Sequence, residues 1–166
     1  TETQELTLAT AGGLFTIMQV GGVLGRTGWG GIADRFVPAN LVMAGLCMGT
    51  AALCAVPAFC ADQWSYFPLA LLSFGLGATS HGWNGIYFSE IIKFAPLGTV
   101  GIAASGAQFA TLSGVAFWPM VFGLIVATGG SYTIAFLMHA AATAVATVYI
   151  RAMLRDKTTL TVKDHQ

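Results

Sequence analysis

Hydrophobic positions fill long uninterrupted segments of this chain, and short polar, proline or glycine-rich stretches separate them. The pattern predicts five α-helices, at about residues 7–32, 39–60, 64–93, 98–128 and 131–154. A helix rises about 1.5 Å per residue and a bilayer's hydrocarbon core is about 30 Å thick, so each segment is long enough to cross it. We therefore expect an all-α, polytopic transmembrane helix bundle over residues 1–155, followed by a polar tail at 156–166.

The turns are predicted from local breaks. Pro38 suits the first turn of a new helix, and Pro96-Leu97-Gly98 interrupts the chain before the fourth. Residues 94–150 contain no Asp, Glu, Lys or Arg, and as one helix they would be far longer than a bilayer is thick. The Gly129-Gly130-Ser131 turn signal must therefore divide that stretch into two spans.

Composition supports a membrane protein and excludes other classes. The chain is 55% hydrophobic and 8% charged, with a mean hydropathy of +0.73, against about 25% charged residues in soluble domains. The lipid bilayer is thus an expected partner. The formal net charge is zero, which gives no basic field for nucleic acid. Cys47, Cys54 and Cys60 have neither disulfide nor metal-ligand spacing, and we expect them to pack in apolar surroundings.

The cations predict the orientation. With five spans, the turns after the first and third helices and the end after the fifth lie on one side of the membrane. All seven Lys and Arg residues fall there. By the positive-inside rule that side is the cytoplasm, so the N-terminus is outside and the C-terminus is cytoplasmic.

A short charged elbow between the first two apolar runs is the most informative motif. Residues 21–36 read GGVLGRTGWGGIADRF and place Arg26, Asp34 and Arg35 among six glycines. This composition predicts a tight loop that joins two spanning helices on one face of the bilayer.

The elbow resembles the cytoplasmic loop signature of the major facilitator superfamily of secondary transporters. The G-x-x-x-D-R core is present as Gly30 or Gly31 to Asp34-Arg35, but Val37-Pro38-Ala39-Asn40 stands where a basic ending is expected. That departure favours the family's degraded second copy, between its eighth and ninth helices. Gly82-Trp83-Asn84-Gly85-Ile86-Tyr87, with Ser89-Glu90 and Pro96 after it, resembles the tenth helix and its following loop. The resemblance therefore covers helices eight to twelve and implies a missing N-terminal transporter half.

The resemblance implies a conformational latch at the cytoplasmic face. Asp34 would accept hydrogen bonds from free amides at a neighbouring helix start, and Arg26 and Arg35 would pair with Asp34 and Glu90. The glycines of this stretch, Gly30 and Gly31 among them, would let the turn and the adjacent backbones approach closely. Gly21 with Gly25 would form a small-residue face for close helix contact. The alternative is that these charges are ordinary interface anchors.

Polar side chains inside the membrane are the candidate cavity residues, because the hydrocarbon penalises them unless they are paired or functional. They lie on the first, third and fourth predicted helices, and the candidates are Gln19, Ser80, His81, Trp83, Asn84, Tyr87, Ser105, Gln108 and Thr111. His81 could relay protons or bind an anionic group, although a histidine bonded to a neighbouring carbonyl is the simpler interpretation. We expect His139, on the outer fifth helix, to be structural.

The residues contain no catalytic motif, no clustered metal ligands and no cofactor-binding signature. The resemblance implies that the chain is not an enzyme but the C-terminal part of a permease of the bacterial inner membrane. Such a permease moves a small solute by alternating access, as a symporter or antiporter coupled to a proton or ion gradient. An organic anion and an amphipathic metabolite both fit this half. The alternatives are a truncated, non-transporting membrane module that packs against a partner, and an intramembrane enzyme.

Overall fold

A computed structural model describes residues 7–59, 64–128 and 132–163. Their regular elements are all α-helices, in the order α1 (Leu8–Arg35), α2 (Ala39–Phe59), α3 (Tyr66–Ser80), α4 (Trp83–Phe94), α5 (Val100–Ala127) and α6 (Tyr132–Lys163). The predicted all-α bundle is confirmed. The predicted turn at 129–131, the end of the second helix at residue 60 and Cys60 lie outside the described residues.

Four helical segments are long and apolar enough to cross a bilayer, namely Leu8–Arg35, Ala39–Pro57, Val100–Ala127 and Tyr132–Ala152. A helix pairs its backbone amides and carbonyls internally, as a hydrocarbon environment requires, and only Pro57 and Pro119 within these segments lack an amide to donate. The chain is therefore an integral membrane protein by the length and composition of these helices.

The third predicted helix, at 64–93, is divided in two. α3 ends at Ser80 and α4 begins at Trp83. His81 (φ −107°, ψ −14°) and Gly82 (φ −67°, ψ −24°) between them keep right-handed helical dihedrals, so the break is a local disruption of the helix and not a loop. The residues around this point, 79–85, are the most polar of the segment, but polar residues inside a span do not by themselves predict a helix break. The fifth helix also differs, because α6 continues to Lys163 rather than ending near 154.

The predicted elbow is mostly helical. Arg26, Asp34 and Arg35 lie on the last turns of α1, and the reversal occupies only residues 36–38. The amides of Phe36 and Val37 both donate to the carbonyl of Ile32, at 2.9 and 3.1 Å, and this closes the helix. The charges therefore lie on the last turns of a helix and not on a loop. Glycine lowers helix propensity only modestly, so the helix continues through the glycine-rich stretch.

α1 and α3 pack with their backbones in close contact. Gly21, Gly22 and Gly25 are buried on α1, and Gly77 is buried on α3. A Cβ at Gly77 would collide with the carbonyl oxygen of Met18, and one at Gly25 would lie 2.5 Å from the carbonyl oxygen of Ala78. Small residues give close van der Waals packing where lipid supplies no hydrophobic drive between helices.

α2 is the most buried helix of the described bundle and packs most extensively against α6. Val42 and Leu46 from α2 and Ile86 from α4 form a fully buried apolar cluster. α5 lies at the margin, touches α4 and α6, and has no buried residue. This arrangement places the break between α3 and α4 beside the interior of the bundle.

Candidate functional site

Two tryptophans satisfy carbonyl groups at the break between α3 and α4. The last carbonyls of a helix have no partner within that helix. The indole Nε1–H of Trp29 on α1 donates to the carbonyl of Ala78 at 3.0 Å, and that of Trp83 donates to the carbonyl of Ser80 at 2.8 Å. The amide of His81 donates to the carbonyl of Gly77 at 3.1 Å. The break is thus a specific, hydrogen-bonded feature.

Trp29 can approach Ala78 because residue 82 is a glycine. A Cβ at Gly82 would lie 2.6 Å from Cδ1 of the Trp29 indole, too close to be accommodated without movement. Gly82 is itself buried. The sequence therefore forms the break through a glycine, a following tryptophan and a second tryptophan on the adjacent helix.

The larger cavity is an open groove of about 550 Å³ between α4, α5 and α6. Its polar lining residues include Thr111, His139 and Thr143, and the indoles of Trp83 and Trp118 cover part of its wall. The hydroxyl of Thr111 donates to the carbonyl of Ala107 at 3.0 Å, so this groove presents few free donors.

A smaller cavity of about 240 Å³ lies beside the helix break. It is lined by residues from five helices: Met18, Thr50, Cys54, Leu76, Ser80, His81, Trp118, Phe122, Phe136 and His139. Trp118 and His139 line both cavities, and their ring centroids are 5.3 Å apart. The two cavities therefore meet at this pair of rings.

The structure brings together four of the nine predicted cavity residues. Ser80 and His81 line the smaller cavity, and Trp83 and Thr111 line the larger one. The Ser80 hydroxyl lies 2.5 Å from the carbonyl of Leu76, to which it donates, and 3.1 Å from Nδ1 of His81. The His81 ring contacts the Ser80 hydroxyl and also interacts with the backbone carbonyl of Gly77, so the neighbouring-carbonyl interpretation stands beside the serine contact.

The remaining predicted cavity residues line neither of these two cavities. Gln19 and Ser105 are exposed on α1 and α5, and the Ser105 hydroxyl donates to the carbonyl of Gly101 at 2.7 Å. Tyr87 packs edge-on against Trp83, with ring centroids 5.3 Å apart. Asn84 and Gln108 are half-buried.

Sequence reasoning missed Trp118 and His139, which join the two cavities. The residue pattern offered a usable signal: each carries a polar ring nitrogen inside a long uncharged segment. His139 was expected to be structural because the resemblance placed its helix on the outside. In this chain α6 packs on α2 and faces the cavities with His139.

Only some of the charged residues of the predicted latch lie close together. Asp34, Glu90 and Lys93 line one small cleft of about 60 Å³ where α1 and α4 end, and Gly30 lines it too. Glu90 accepts from Nζ of Lys93 at 3.0 Å, within its own helix. Arg26 and Arg35 are exposed, and neither forms an ion pair among the described residues.

The predicted close approach of backbones is seen at Gly21 and Gly25 but not at Gly30 or Gly31. A Cβ at either position would meet nothing within 4 Å in the described chain. The close backbone contacts lie earlier on α1, at Gly21 and Gly25, where the helix crosses α3.

A comparison with protein-family models, curated proteins and solved structures finds no match for this chain. Function therefore has to be inferred from the residues and the geometry described above.

Proposed function

We propose that this chain is the C-terminal part of a secondary active transporter of the major facilitator type. It moves a small solute by alternating access, coupled to a proton or ion gradient. The observation that carries the proposal is the interruption between α3 and α4 inside an apolar segment, beside a cavity that Ser80 and His81 line. Irregular backbone at membrane depth is tolerated where it is buried in protein or lines a cavity, and transporter sites are commonly built at broken helices.

α3 and α4 together would supply the fifth span. They contain 15 and 12 residues, and a continuous path through both is about 40 Å long at 1.5 Å per residue. The break then falls near the middle of the bilayer, which is where solute sites of secondary transporters lie.

Five spans would place the ends of α1, α4 and α6 on the same side of the membrane. The shared cleft of Asp34, Glu90 and Lys93 supports this for α1 and α4. The described cations Arg26, Arg35, Lys93 and Arg151 lie toward these ends. By the positive-inside rule this side is the cytoplasmic face of a bacterial inner membrane.

The missing N-terminal half would cover surfaces that this chain leaves open. Gln19 on α1 and Ser105 on α5 are polar and exposed, and such groups are costly against lipid. Facing a second half across a water-filled cavity would accommodate both.

The second candidate is a non-transporting membrane module that packs against a partner protein. The absence of any buried residue on α5 favours it, because such a helix could serve entirely as a docking surface. In that case the cavity residues need not be reached by water from both sides of the membrane.

Thiol labelling of the natural full-length protein separates the two candidates. In a background without native cysteines, Ser80→Cys and Thr111→Cys test the two cavities, and Val148→Cys, whose parent residue is 66% exposed on α6, is the lipid-facing control. A membrane-impermeant maleimide is added to right-side-out and to inverted vesicles. Alternating access predicts labelling of positions 80 and 111 in both vesicle types, with position 148 unlabelled.

Labelling of position 80 from one side only, or from neither side, would overturn the transporter proposal and favour the packing module. Labelling of position 148 equal to that of position 80 would show that the reagent does not report on a protein cavity.

A further inference from the structure

The hydrogen bonds around Ser80 determine which nitrogen of His81 carries a proton. A serine hydroxyl has a single hydrogen, and that of Ser80 is donated to the carbonyl of Leu76, which can only accept. The Ser80 oxygen must therefore accept at its other contact, the 3.1 Å one with Nδ1 of His81. Nδ1 carries hydrogen, and Nε2 of the neutral imidazole is left as an acceptor.

Three ring groups of the smaller cavity have unused hydrogen-bonding capacity. The His81 ring also interacts with the carbonyl of Gly77, which can only accept and therefore faces the protonated nitrogen Nδ1. Among the described residues, no hydrogen bond is then left for Nε2 of His81, for either ring nitrogen of His139 or for Nε1 of Trp118. No fully buried side-chain nitrogen or oxygen in the described chain lacks a partner. These half-buried rings therefore keep their free nitrogens open to space, where a solute can reach them.

The lining carries no fixed charge. None of the residues around the smaller cavity is Asp, Glu, Lys or Arg. Arg26 acts electrostatically on His81 from outside the lining, but it is exposed, so an ion would lose its hydration in the cavity without a counter-charge in direct contact, which is costly in a low-dielectric site. Cys54, His81 and His139 share this lining, but no three described His, Cys, Asp or Glu side chains are grouped closely enough to hold a metal ion.

The volume of the cavity and its aromatic walls further restrict the class of solute that can bind. A volume of about 240 Å³ lies below the roughly 300–1,000 Å³ of sites for drug-sized ligands. Trp118, Phe122 and Phe136 give the cavity aromatic walls, and flat rings stack or meet edge-on against such walls.

We infer that the smaller cavity binds a small, uncharged solute with an apolar or aromatic body and at least one hydroxyl or N–H donor. Nε2 of His81 accepts from that donor. Trp118 Nε1–H and the protonated nitrogen of His139 donate to an acceptor on the same solute. Ser80 is a positioning residue, because its oxygen holds His81 in the tautomer that accepts at Nε2. This inference deepens the transport proposal by naming its solute class.

Three isosteric probes test this chemistry on the full-length protein in nanodiscs, by calorimetric titration. Benzamide has an N–H donor and a carbonyl acceptor, acetophenone replaces the amino group with a methyl group, and benzoate carries a charge. We expect benzamide to bind about tenfold more tightly than either analogue, because acetophenone leaves the Nε2 acceptor of His81 unpaired and benzoate brings a charge into an uncharged lining.

Variants assign the preference to residues. His81→Leu should remove the preference for benzamide over acetophenone, His81→Gln should retain part of it, and Ser80→Ala should weaken it. Thr16→Val is the control, because Thr16 is exposed on α1 and its hydroxyl donates to the carbonyl of Gly12 at 2.9 Å. It should leave the preference unchanged.

The inference fails if the wild-type protein binds no benzamide at millimolar concentration, or if benzamide, acetophenone and benzoate bind alike. It also fails if Ser80→Ala, His81→Gln and His81→Leu all keep the wild-type preference for benzamide over acetophenone. Binding and labelling are independent readouts. If positions 80 and 111 are labelled from both sides but the protein does not prefer benzamide, the transporter proposal stands and the solute class is wrong. If the protein prefers benzamide but labelling occurs from one side only, the binding site stands and the transporter proposal is wrong.

Discussion

α1 and α5 have the same length and contrasting surroundings. Each contains 28 residues and several glycines. On α1, three glycines are buried and two of them meet the backbone of α3. On α5, a Cβ at Gly106, Gly114 or Gly123 would meet nothing within 4 Å, and no residue is buried. Close backbone approach, and not apolar character, therefore distinguishes the α1–α3 contact from the surface of α5.

The difference indicates which helix surfaces find their packing partners within this chain. The α1–α3 contact is satisfied by residues that the chain itself provides, including the Trp29 bond to Ala78. The small-residue surface of α5 is available to lipid or to another part of the transporter. Matched substitutions in the α1–α3 contact and on α5 should therefore have unequal effects.

The largest difference is expected between Gly77→Ala and Gly114→Ala. A methyl group at position 77 collides with the carbonyl of Met18, so α1 and α3 must separate. We expect a loss of about 2 kcal/mol or more in unfolding free energy. At position 114 the methyl group meets nothing, and the change should stay within about 0.5 kcal/mol. Unfolding in mixed micelles followed by circular dichroism measures both.

Equal losses for the two variants would contradict the contrast, because they would mean that α5 is packed as tightly as α1. A Gly77→Ala protein of wild-type stability would show that the two backbones are further apart than described.

A smaller difference is expected between Trp29→Phe and Trp118→Phe. Phenylalanine keeps most of the ring but removes the Nε1–H donor. At position 29 this leaves the carbonyl of Ala78 without its indole partner, which we expect to cost about 1–2 kcal/mol. Among the described residues Trp118 has no acceptor, so its loss should cost less than about 0.5 kcal/mol. The same unfolding measurement applies, and a larger loss at position 118 would overturn the assignment.

The break between α3 and α4 explains why part of the fold could not be predicted from sequence. The length and position of α1, α2 and α5 follow from whole apolar segments, which hydropathy detects well. The break depends on Trp29, which lies 49 positions before its acceptor Ala78. Periodicity carries no information about a hydrogen bond between helices so far apart in sequence.

The residues that line the cavities could also be predicted only in part from the sequence. Ser80, His81 and Thr111 were identifiable because polar side chains are rare in apolar spans. Helical spacing places residues on one face but does not say which neighbour that face meets, so Gln19 and Ser105 were also selected. His139 was set aside because its helix was assigned to the outside, whereas contacts decide which ring reaches the cavity.

The smallest expected effect is the coupling between Arg35 and Glu90 across the ends of α1 and α4. The latch implied by the family resemblance joins them, but Glu90 bonds to Lys93 within α4 and Arg35 is exposed. A double-mutant cycle of Arg35→Gln and Glu90→Gln should therefore give a coupling energy near zero in this conformation. The Glu90→Gln and Lys93→Gln cycle, across a partly exposed pair three residues apart, should give about 0.3–0.5 kcal/mol. A larger coupling for Arg35 than for Lys93 would mean that the glycine-rich end of α1 is held to α4 by charge. The contrast with α5 would then rest on the latch as well as on the glycines.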